Sequence, residues 1–164
     1  MSVIDGCMKA NEDYARSFDR SKLAMPPAKK LAVVACMDAR LTVEEVLGLR
    51  TGDAHIIRNA GGIVTEDEIR SLIISYKLLG TREFMVINHT DCGMLTFTDE
   101  ELQGKLKADT GTDAGSLTFH SFKNLEDNVI AQVRKIKDNP FIPNDIPVRG
   151  FIFDVHTGEL KEIK

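Results

Sequence analysis

The sequence has 164 residues, of which 43% are hydrophobic and 28% are charged, as in an ordinary globular domain. Its net charge of −4 gives no electrostatic reason to expect a nucleic acid or an anionic membrane as partner. We find no apolar run of membrane-spanning length and no secretory signal, and three cysteines are too few for a disulfide scaffold. We therefore expect a cytoplasmic protein with reduced thiols, folded as one domain over residues 1–164.

The N-terminal segment predicts a helical arm followed by a linker, together spanning residues 1–28. Apolar side chains at helical spacing favour an amphipathic helix over residues 2–19. The sequence Met25-Pro26-Pro27 cannot continue that helix, so a linker follows it. The helix can pack on its own domain or on a partner subunit, and its pattern fits both.

From residue 31 onward, predicted strands and helices alternate. Capping boxes at Thr42, Thr65 and Thr98 each predict the start of a helix, the third ending near Ala108. A further helix is predicted over residues 121–138, after a loop rich in glycine and small polar residues. The predicted strands cover residues 31–36, 54–58, 84–88 and 148–155. This alternation predicts a mainly parallel sheet with helices on both faces.

Residues with metal-binding chemistry follow the first and third strands. Cys36 ends the first strand, and Asp38 and Arg40 follow it at intervals of two. His89 ends the third strand, and Cys92 comes three residues later, just before a glycine. Ligands of an open parallel sheet bind beyond the carboxyl ends of its strands, where the strand order reverses. In the common order 2-1-3-4, that point lies between the first and third strands, so the two stretches can meet.

Two thiolates and one imidazole form a zinc ligand set, and three protein ligands leave a fourth position open, as in catalytic sites. Zinc lowers the pKa of a bound water to about 7, which makes hydroxide available at neutral pH. Asp38 can then accept the remaining hydroxide proton, and Arg40 can pair with Asp38 and keep it ionised. The alternative is that Cys36 and Cys92 are buried as small hydrophobic residues and lie near His89 by chance.

These same residues resemble the motifs of the β-class carbonic anhydrases, and in particular the compact branch found in prokaryotes. The family pattern Cys-x-Asp-x-Arg is matched by residues 36–40, and the pattern His-x-x-Cys by residues 89–92. Residues 58–61, Arg-Asn-Ala-Gly, match the family's Asn-Ala-Gly turn that follows the second strand. The resemblance extends from about residue 28 to residue 160.

The resemblance implies a three-layer α/β fold with a mainly parallel sheet of order 2-1-3-4, a C-terminal antiparallel strand and an N-terminal helical arm. It implies one zinc ion per chain, held by Cys36, His89 and Cys92, with Asp38 and Arg40 as the catalytic dyad. The implied reaction is the reversible hydration of carbon dioxide to bicarbonate and a proton by zinc-bound hydroxide. The implied assembly is a homodimer or a dimer of dimers, in which the N-terminal helix embraces the neighbouring subunit.

Two other functions compete with this one. The same zinc hydroxide could hydrolyse carbonyl sulfide or carbon disulfide, as relatives with this fold and ligand set do. A zinc-containing regulatory protein without turnover is the other alternative, and the intact Asp38–Arg40 pair argues against it. In some family members the aspartate closes the zinc, often alongside a bicarbonate site that includes a tryptophan. This chain has no tryptophan, so we predict an open zinc at neutral pH.

Other residues near the motifs have less defined roles. Asp91 either orients His89 as a hydrogen-bond acceptor or only forms the turn. Cys7 is interpreted as a plain thiol. The predicted walls of the zinc pocket are Val64, Met94 and Leu95. The histidines that could move protons, although structural roles suit each of them better, are His55, His120 and His156.

Overall fold

The computed structural model describes residues 2–164, and Met1 lies outside the described residues. One five-stranded sheet has the order β2-β1-β3-β4-β5, in which the first four strands are parallel and β5 is antiparallel to β4. The strands are β1 Leu31–Cys36, β2 Ala54–Asn59, β3 Glu83–His89, β4 Val148–Phe153 and β5 Leu160–Ile163. The predicted fold class is confirmed, including the order 2-1-3-4 and the antiparallel C-terminal strand.

Within residues 2–164, helix α1 precedes the sheet, and four further α-helices and two single 3-10 turns lie between the strands. The helices are α1 Val3–Arg16, α2 Val43–Val46, α3 Glu66–Leu79, α4 Asp99–Thr110 and α5 Leu125–Lys137. The 3-10 turns are Ala60–Gly62 and Gly93–Leu95. The capping boxes predicted at Thr65 and Thr98 form. The box predicted at Thr42 is wrong, because in the described chain its hydroxyl caps no amide and the helix ends after one turn.

The predicted start of the last helix, at residue 121, is wrong by four residues. Asn124 caps α5 by accepting a hydrogen bond from the amide of Asp127. The amides of the three residues 119–121 donate instead to the carboxylate of Asp99, at 2.8 to 3.1 Å. Asp99 thus ties the loop after α4 to the first turn of α4 and keeps these residues out of α5. The strand predicted over residues 148–155 ends at Phe153.

Strand β1, which lies between β2 and β3, is buried on both faces, with residues 32–35 at zero exposure. On one face, α3 and α5 contribute Leu72 and Ile136 to the core. On the other face, α2 contributes Val43, beside Met94 and the aromatic side chain of Phe122. Helix α5 lies very close to β4, since a Cβ added to Gly150 would clash with Cγ1 of Val129. Glycine at position 150 therefore allows α5 to approach the sheet.

Helix α1 contrasts with the rest of the chain, because every one of its residues is exposed. Its large apolar side chains include Val3, Ile4 and Met8, which are 60 to 85% exposed. None of the helices within residues 2–164 has the length and apolar character needed to cross a bilayer.

Candidate metal centre

The fold brings together the three side chains that the sequence singled out as metal ligands. Cys36 is the last residue of β1 and His89 the last residue of β3, and these strands are parallel neighbours. Cys92 lies on the turn that leaves β3. The sulfur and nitrogen atoms that the three side chains can offer to a metal lie within 4.8 Å of one another, and all three residues are buried. The topological argument for their convergence is therefore confirmed.

The turn that carries Cys92 is held in place by the segment that follows β4. The amide of Thr90 donates to the carbonyl of Phe153 at 2.9 Å, and the hydroxyl of Thr90 accepts from the amide of Val155 at 3.0 Å. His156 Nε2 lies 2.7 Å from Asp91 Oδ2. Asp91 has a φ of +53°, a left-handed backbone that a non-glycine residue rarely adopts. These contacts stabilise the strained turn from outside.

The imidazole of His89 is oriented by its own turn. Its Nδ1 donates to the carbonyl of Thr90 at 2.7 Å, which leaves Nε2 without a proton and free to bind a metal. Nε2 is buried, and among residues 2–164 it has no hydrogen-bond partner. A buried nitrogen left unpaired costs about 1 to 3 kcal/mol, so the site fits a ligand that completes it. Asp91 does not orient His89, and of its two interpretations only the turn-forming one is observed.

The closeness of the two buried thiols moves their pKa values in opposite directions. A hydrogen bond from Cys92 lowers the pKa of Cys36, with burial opposing and the backbone amides of Asp38 and Gly61 assisting. The same hydrogen bond, together with burial, raises the pKa of Cys92. Burial acts to lower the pKa of His89, but contact with Cys36 and the charge of Asp38 raise it. The lowered pKa of Cys36 favours its thiolate, which is the form that binds a divalent cation.

Asp38 and Arg40 form a two-pronged ion pair beside the triad. Arg40 Nε donates to Asp38 Oδ1 at 2.9 Å, and Arg40 Nη2 donates to Oδ2 at 2.8 Å. Nη2 also reaches the carbonyl of Asp91 at 3.1 Å. The hydrogen bond from Arg40 holds the pKa of Asp38 well below its usual range, so the carboxylate is ionised. Its Oδ2 lies 3.7 Å from His89 Nε2, next to the position that a metal would take.

Arg58, which the sequence analysis placed in the motif after the second strand without a role of its own, is a residue of the site. Its Nε donates to the carbonyl of Cys36 at 3.0 Å, and its Nη2 donates to the carbonyl of Asp38 at 2.7 Å. Arg58 thus fixes the backbone between the first ligand and the aspartate. Its place directly before the Asn59-Ala60-Gly61 turn, on the strand beside β1, was the signal that could have identified this role.

A pocket of about 370 Å3 opens over the three ligands and Asp38. The further residues that line it are Met37, Ala60, Gly61, Gly93, Met94, Thr96 and Phe97. Of the predicted wall residues, Met94 is confirmed. Val64 lies instead in the core on the α3 side of the sheet, and Leu95 borders a different surface pocket, so both predictions are wrong. Thr96 and Phe97 lie on a loop whose path the sequence pattern did not reveal.

The fold and these side chains define a class of protein, a metalloenzyme with a Cys-His-Cys site at the switch point of an α/β sheet. The chain matches the carbonic anhydrase family over residues 31–160. It is 48% identical over 163 residues to β-carbonic anhydrase 1 of Mycobacterium tuberculosis, with 99% of both chains covered. The chain belongs to the β-class carbonic anhydrase family, and its triad of Cys36, His89 and Cys92 is typical of the zinc site of that family.

Solved structures agree with this assignment. The carbonic anhydrase of Streptococcus mutans superposes with a TM-score of 0.95 at 46% identity, covering 100% of this chain and 99% of that one. A carbon disulfide hydrolase of Saccharolobus solfataricus is a more distant relative, 36% identical over 183 residues, with 97% of this chain and 88% of the relative covered.

Proposed function

We propose that this chain catalyses the reversible hydration of carbon dioxide to bicarbonate and a proton, with Asp38 and Arg40 as its catalytic dyad. Cys36, His89 and Cys92 would hold one zinc ion, for which the buried, unpaired Nε2 of His89 supplies the fit. The observation that carries the proposal is the position of Asp38. Its carboxylate faces the ligand atoms while Arg40 binds both of its oxygens.

Zinc held by these ligands would supply a Lewis acid that makes water nucleophilic near neutral pH. The role of Asp38 in the reaction follows from its ionised state, because an ionised carboxylate can only accept hydrogen bonds. Its Oδ2, directed at the site, would accept a hydrogen bond from the attacking water and so turn a lone pair of that water toward the substrate. Arg40 keeps Asp38 in the acceptor state and fixes its plane through the paired hydrogen bonds.

The pocket walls support a small, weakly polar substrate. Met94 and Phe97 present apolar surface beside the ligands. Carbon dioxide carries no charge and gains little from a pocket rich in hydrogen bonds, so apolar walls suit it while they limit competing water. Gly61 and Ala60 keep side-chain bulk out of the opposite wall.

Stopped-flow measurement of carbon dioxide hydration at pH 8.5, on protein of known zinc content, tests the proposal. The rate should rise in proportion to bound zinc. Zinc-loaded protein that fails to accelerate hydration would contradict the proposal and favour the non-catalytic zinc protein.

The similarity to a carbon disulfide hydrolase supports a second candidate that uses the same ligands. Access to the pocket, rather than the ligand set, would separate the substrates. The same protein should therefore be assayed on carbon dioxide, carbonyl sulfide and carbon disulfide. Turnover of either sulfur compound well above that of carbon dioxide would replace the hydration proposal.

We also propose that α1 packs on a second copy of this chain. A helix of 14 residues is marginal in water without tertiary contacts, yet every residue of α1 is exposed in the single chain. The aromatic pair Tyr14–Phe18, with ring centroids 5.7 Å apart, extends the exposed apolar surface beyond the helix. Such a continuous apolar surface supports contact with a partner subunit. A homodimer, or a dimer of dimers, would bury this surface.

A further inference from the structure

Three polar side chains are buried on the face of the sheet that α5 covers. Asn88 on β3 is 1% exposed, and Asn128 and Gln132 on α5 are 8% and 3% exposed. The side chain of Asn88 points to the opposite face of β3 from that of His89, because successive side chains of a strand alternate between its faces. Asn128 and Gln132 lie on the same face as Asn88. Burying three amides costs free energy unless each is hydrogen-bonded, so their partners decide what they do.

The three amides are linked in one line. Gln132 Nε2 donates to Asn128 Oδ1 at 2.7 Å, and Asn128 Nδ2 donates to Asn88 Oδ1 at 2.7 Å. Asn88 Nδ2 then donates to the carbonyl of Gly61 at 2.9 Å. At the other end, Lys135 Nζ donates to Gln132 Oε1 at 3.1 Å. We call Lys135, Gln132, Asn128 and Asn88 the amide relay.

The two ends of the amide relay determine its direction. An ammonium group can only donate, and a peptide carbonyl can only accept. Each amide between Lys135 and Gly61 must therefore accept from the lysine side and donate toward the glycine side. Hydrogen bonds aligned in this way polarise one another and strengthen the whole line. Gln132 Oε1 also accepts from the amide of Val64 at 2.9 Å, which secures the chain just beyond the Ala60–Gly62 turn.

The Ala60–Gly62 turn connects the amide relay to the ligands. Asn88 Nδ2 donates to the carbonyl of Gly61 at 2.9 Å and lies 3.4 Å from the carbonyl of Gly62, so its amide is bound to the backbone of this turn. The neighbouring Gly62 is packed so tightly that an added Cβ would lie 2.7 Å from Asn88 Nδ2 and 3.0 Å from the amide nitrogen of Cys36. A displacement of Asn88 would therefore be transmitted to the backbone beside Cys36.

We propose that the amide relay positions the Ala60–Gly62 turn against Cys36, so that residues of α5 tune the metal centre from the far face of the sheet. Its members are positioning residues, since they act through the peptide of Gly61 and touch neither ligand atoms nor substrate. Loss of a hydrogen bond in the relay should loosen the turn and weaken the hold of Cys36 on the metal. The inference rests on the proposed zinc site.

Lys135→Met tests the relay from its outer end, where substitution leaves the buried amides in place. The release of zinc to a colorimetric chelator should be about two- to fivefold faster, the effect of losing a partly exposed ammonium group that donates both to Gln132 Oε1 and to the carbonyl of Val64. Lys135→Arg should restore the wild-type rate, because a guanidinium also only donates. Lys137→Met, which changes an exposed lysine of the same helix, is the matched control and should release zinc at the wild-type rate.

Asn128→Leu interrupts the relay at its centre and should accelerate zinc release by about tenfold or more, as expected for partners that orient metal ligands. In cobalt-substituted protein, the sulfur-to-cobalt charge-transfer band should shift in Asn128→Leu and Lys135→Met but not in Lys137→Met. A purely structural role would lower the melting temperature without moving this band.

The zinc content of the wild-type protein shows whether a negative result counts against the amide relay alone or also against the proposed function. If wild-type protein holds zinc, and Lys135→Met matches Lys137→Met in release rate and cobalt spectrum, the amide relay is overturned while the zinc site stands. If wild-type protein holds no zinc, both the relay and the proposed function fail.

Discussion

Asp38 serves two neighbours of different chemistry, the guanidinium of Arg40 and the cluster of Cys36, His89 and Cys92. Its oxygens are held by Arg40 at 2.8 and 2.9 Å. To bind the metal, Asp38 would have to leave this pair and expose an unpaired guanidinium. This geometry favours the open zinc expected from the absence of tryptophan, which stays a prediction.

Removing the carboxylate should separate catalysis from metal binding. Asp38→Ala should retain zinc, because Asp38 is not among the three ligands, and should lower kcat/KM by about 100-fold or more, the loss expected when the attacking group is no longer oriented. Stopped-flow hydration and zinc content would be measured on the same sample. Asp38→Asn is the matched control for side-chain size and should also be slow, since an amide can donate toward the attacking water. Full activity of Asp38→Ala at full zinc content would show that Asp38 has no catalytic part.

Sequence reasoning identified the five residues with distinctive chemistry, because their spacing and their places at strand ends carry the signal. It did not assign a role to Arg58, whose side chain reaches two backbone carbonyls, since backbone acceptors leave no trace in a sequence. Nor did it identify Asn128 and Gln132, because such residues on a helix usually face water. Their position on the buried stripe of α5, beside Val129 and Ile136, was the available signal.

At the scale of elements, the loop between α4 and α5 depends on Asp99. Its carboxylate accepts from the amides of residues 119–121, and the Ser121 side chain and backbone lower the pKa of Asp99 to about 2 from an ordinary 3.8. A folded-state pKa below the unfolded value adds stability that is fully present above pH 3.8. That stability is lost as the pH falls through about 2.

Asp99→Asn should therefore be less stable than the wild type at neutral pH, and the difference should shrink as the pH falls from about 4 to about 2. Urea unfolding of metal-free wild type and variant across this range measures the difference. Amide exchange of residues 119–121 would show the loosened loop directly. A stability difference that stays constant with pH would contradict the ionised clamp.

Gly62 should be intolerant of any side chain. Its φ of +60° is a left-handed backbone, which costs a residue with a Cβ about 1 to 2 kcal/mol. Crowding against Asn88 and Cys36 adds to that cost. Gly80, which ends α3 with φ of +78° and has open space around it, provides the control. Thermal unfolding should show Gly62→Ala to be clearly less stable than Gly80→Ala, and equal losses would argue against the crowding.

The elements themselves were predictable where a local signal was strong. Strands β1 and β3 are apolar runs, and the capping boxes at Thr65 and Thr98 start helices where expected. Errors arose where a distant residue intervened. Asp99 captures amides that otherwise would begin α5, and this contact spans 20 residues or more in sequence. The hydrophobic periodicity of a short sequence window does not show that a distant carboxylate binds the amides at the predicted start of a helix.

At the scale of the whole molecule, the exposed apolar face of α1 is the feature that predicts an assembly of two or more chains. The double variant Ile4→Glu, Met8→Glu places charges on the apolar face and should convert a dimer into monomers in sedimentation velocity. Lys9→Glu, about 100° around the helix from Met8, is the control and should leave the dimer intact. A wild-type protein that sediments as a monomer at micromolar concentration would refute the partner contact. That residues 1–164 form one domain also stays a prediction.

The contacts between residues 153–156 and the turn after β3 also constrain the order of events during synthesis. A chain made from its N-terminus presents Cys36 and His89 early, and N-terminal parts begin to fold first. Thr90, however, meets Val155 only after 65 more residues have been added. The nascent chain therefore carries an unfinished ligand turn for much of its production. We expect stable metal uptake to follow, rather than accompany, translation of the sheet.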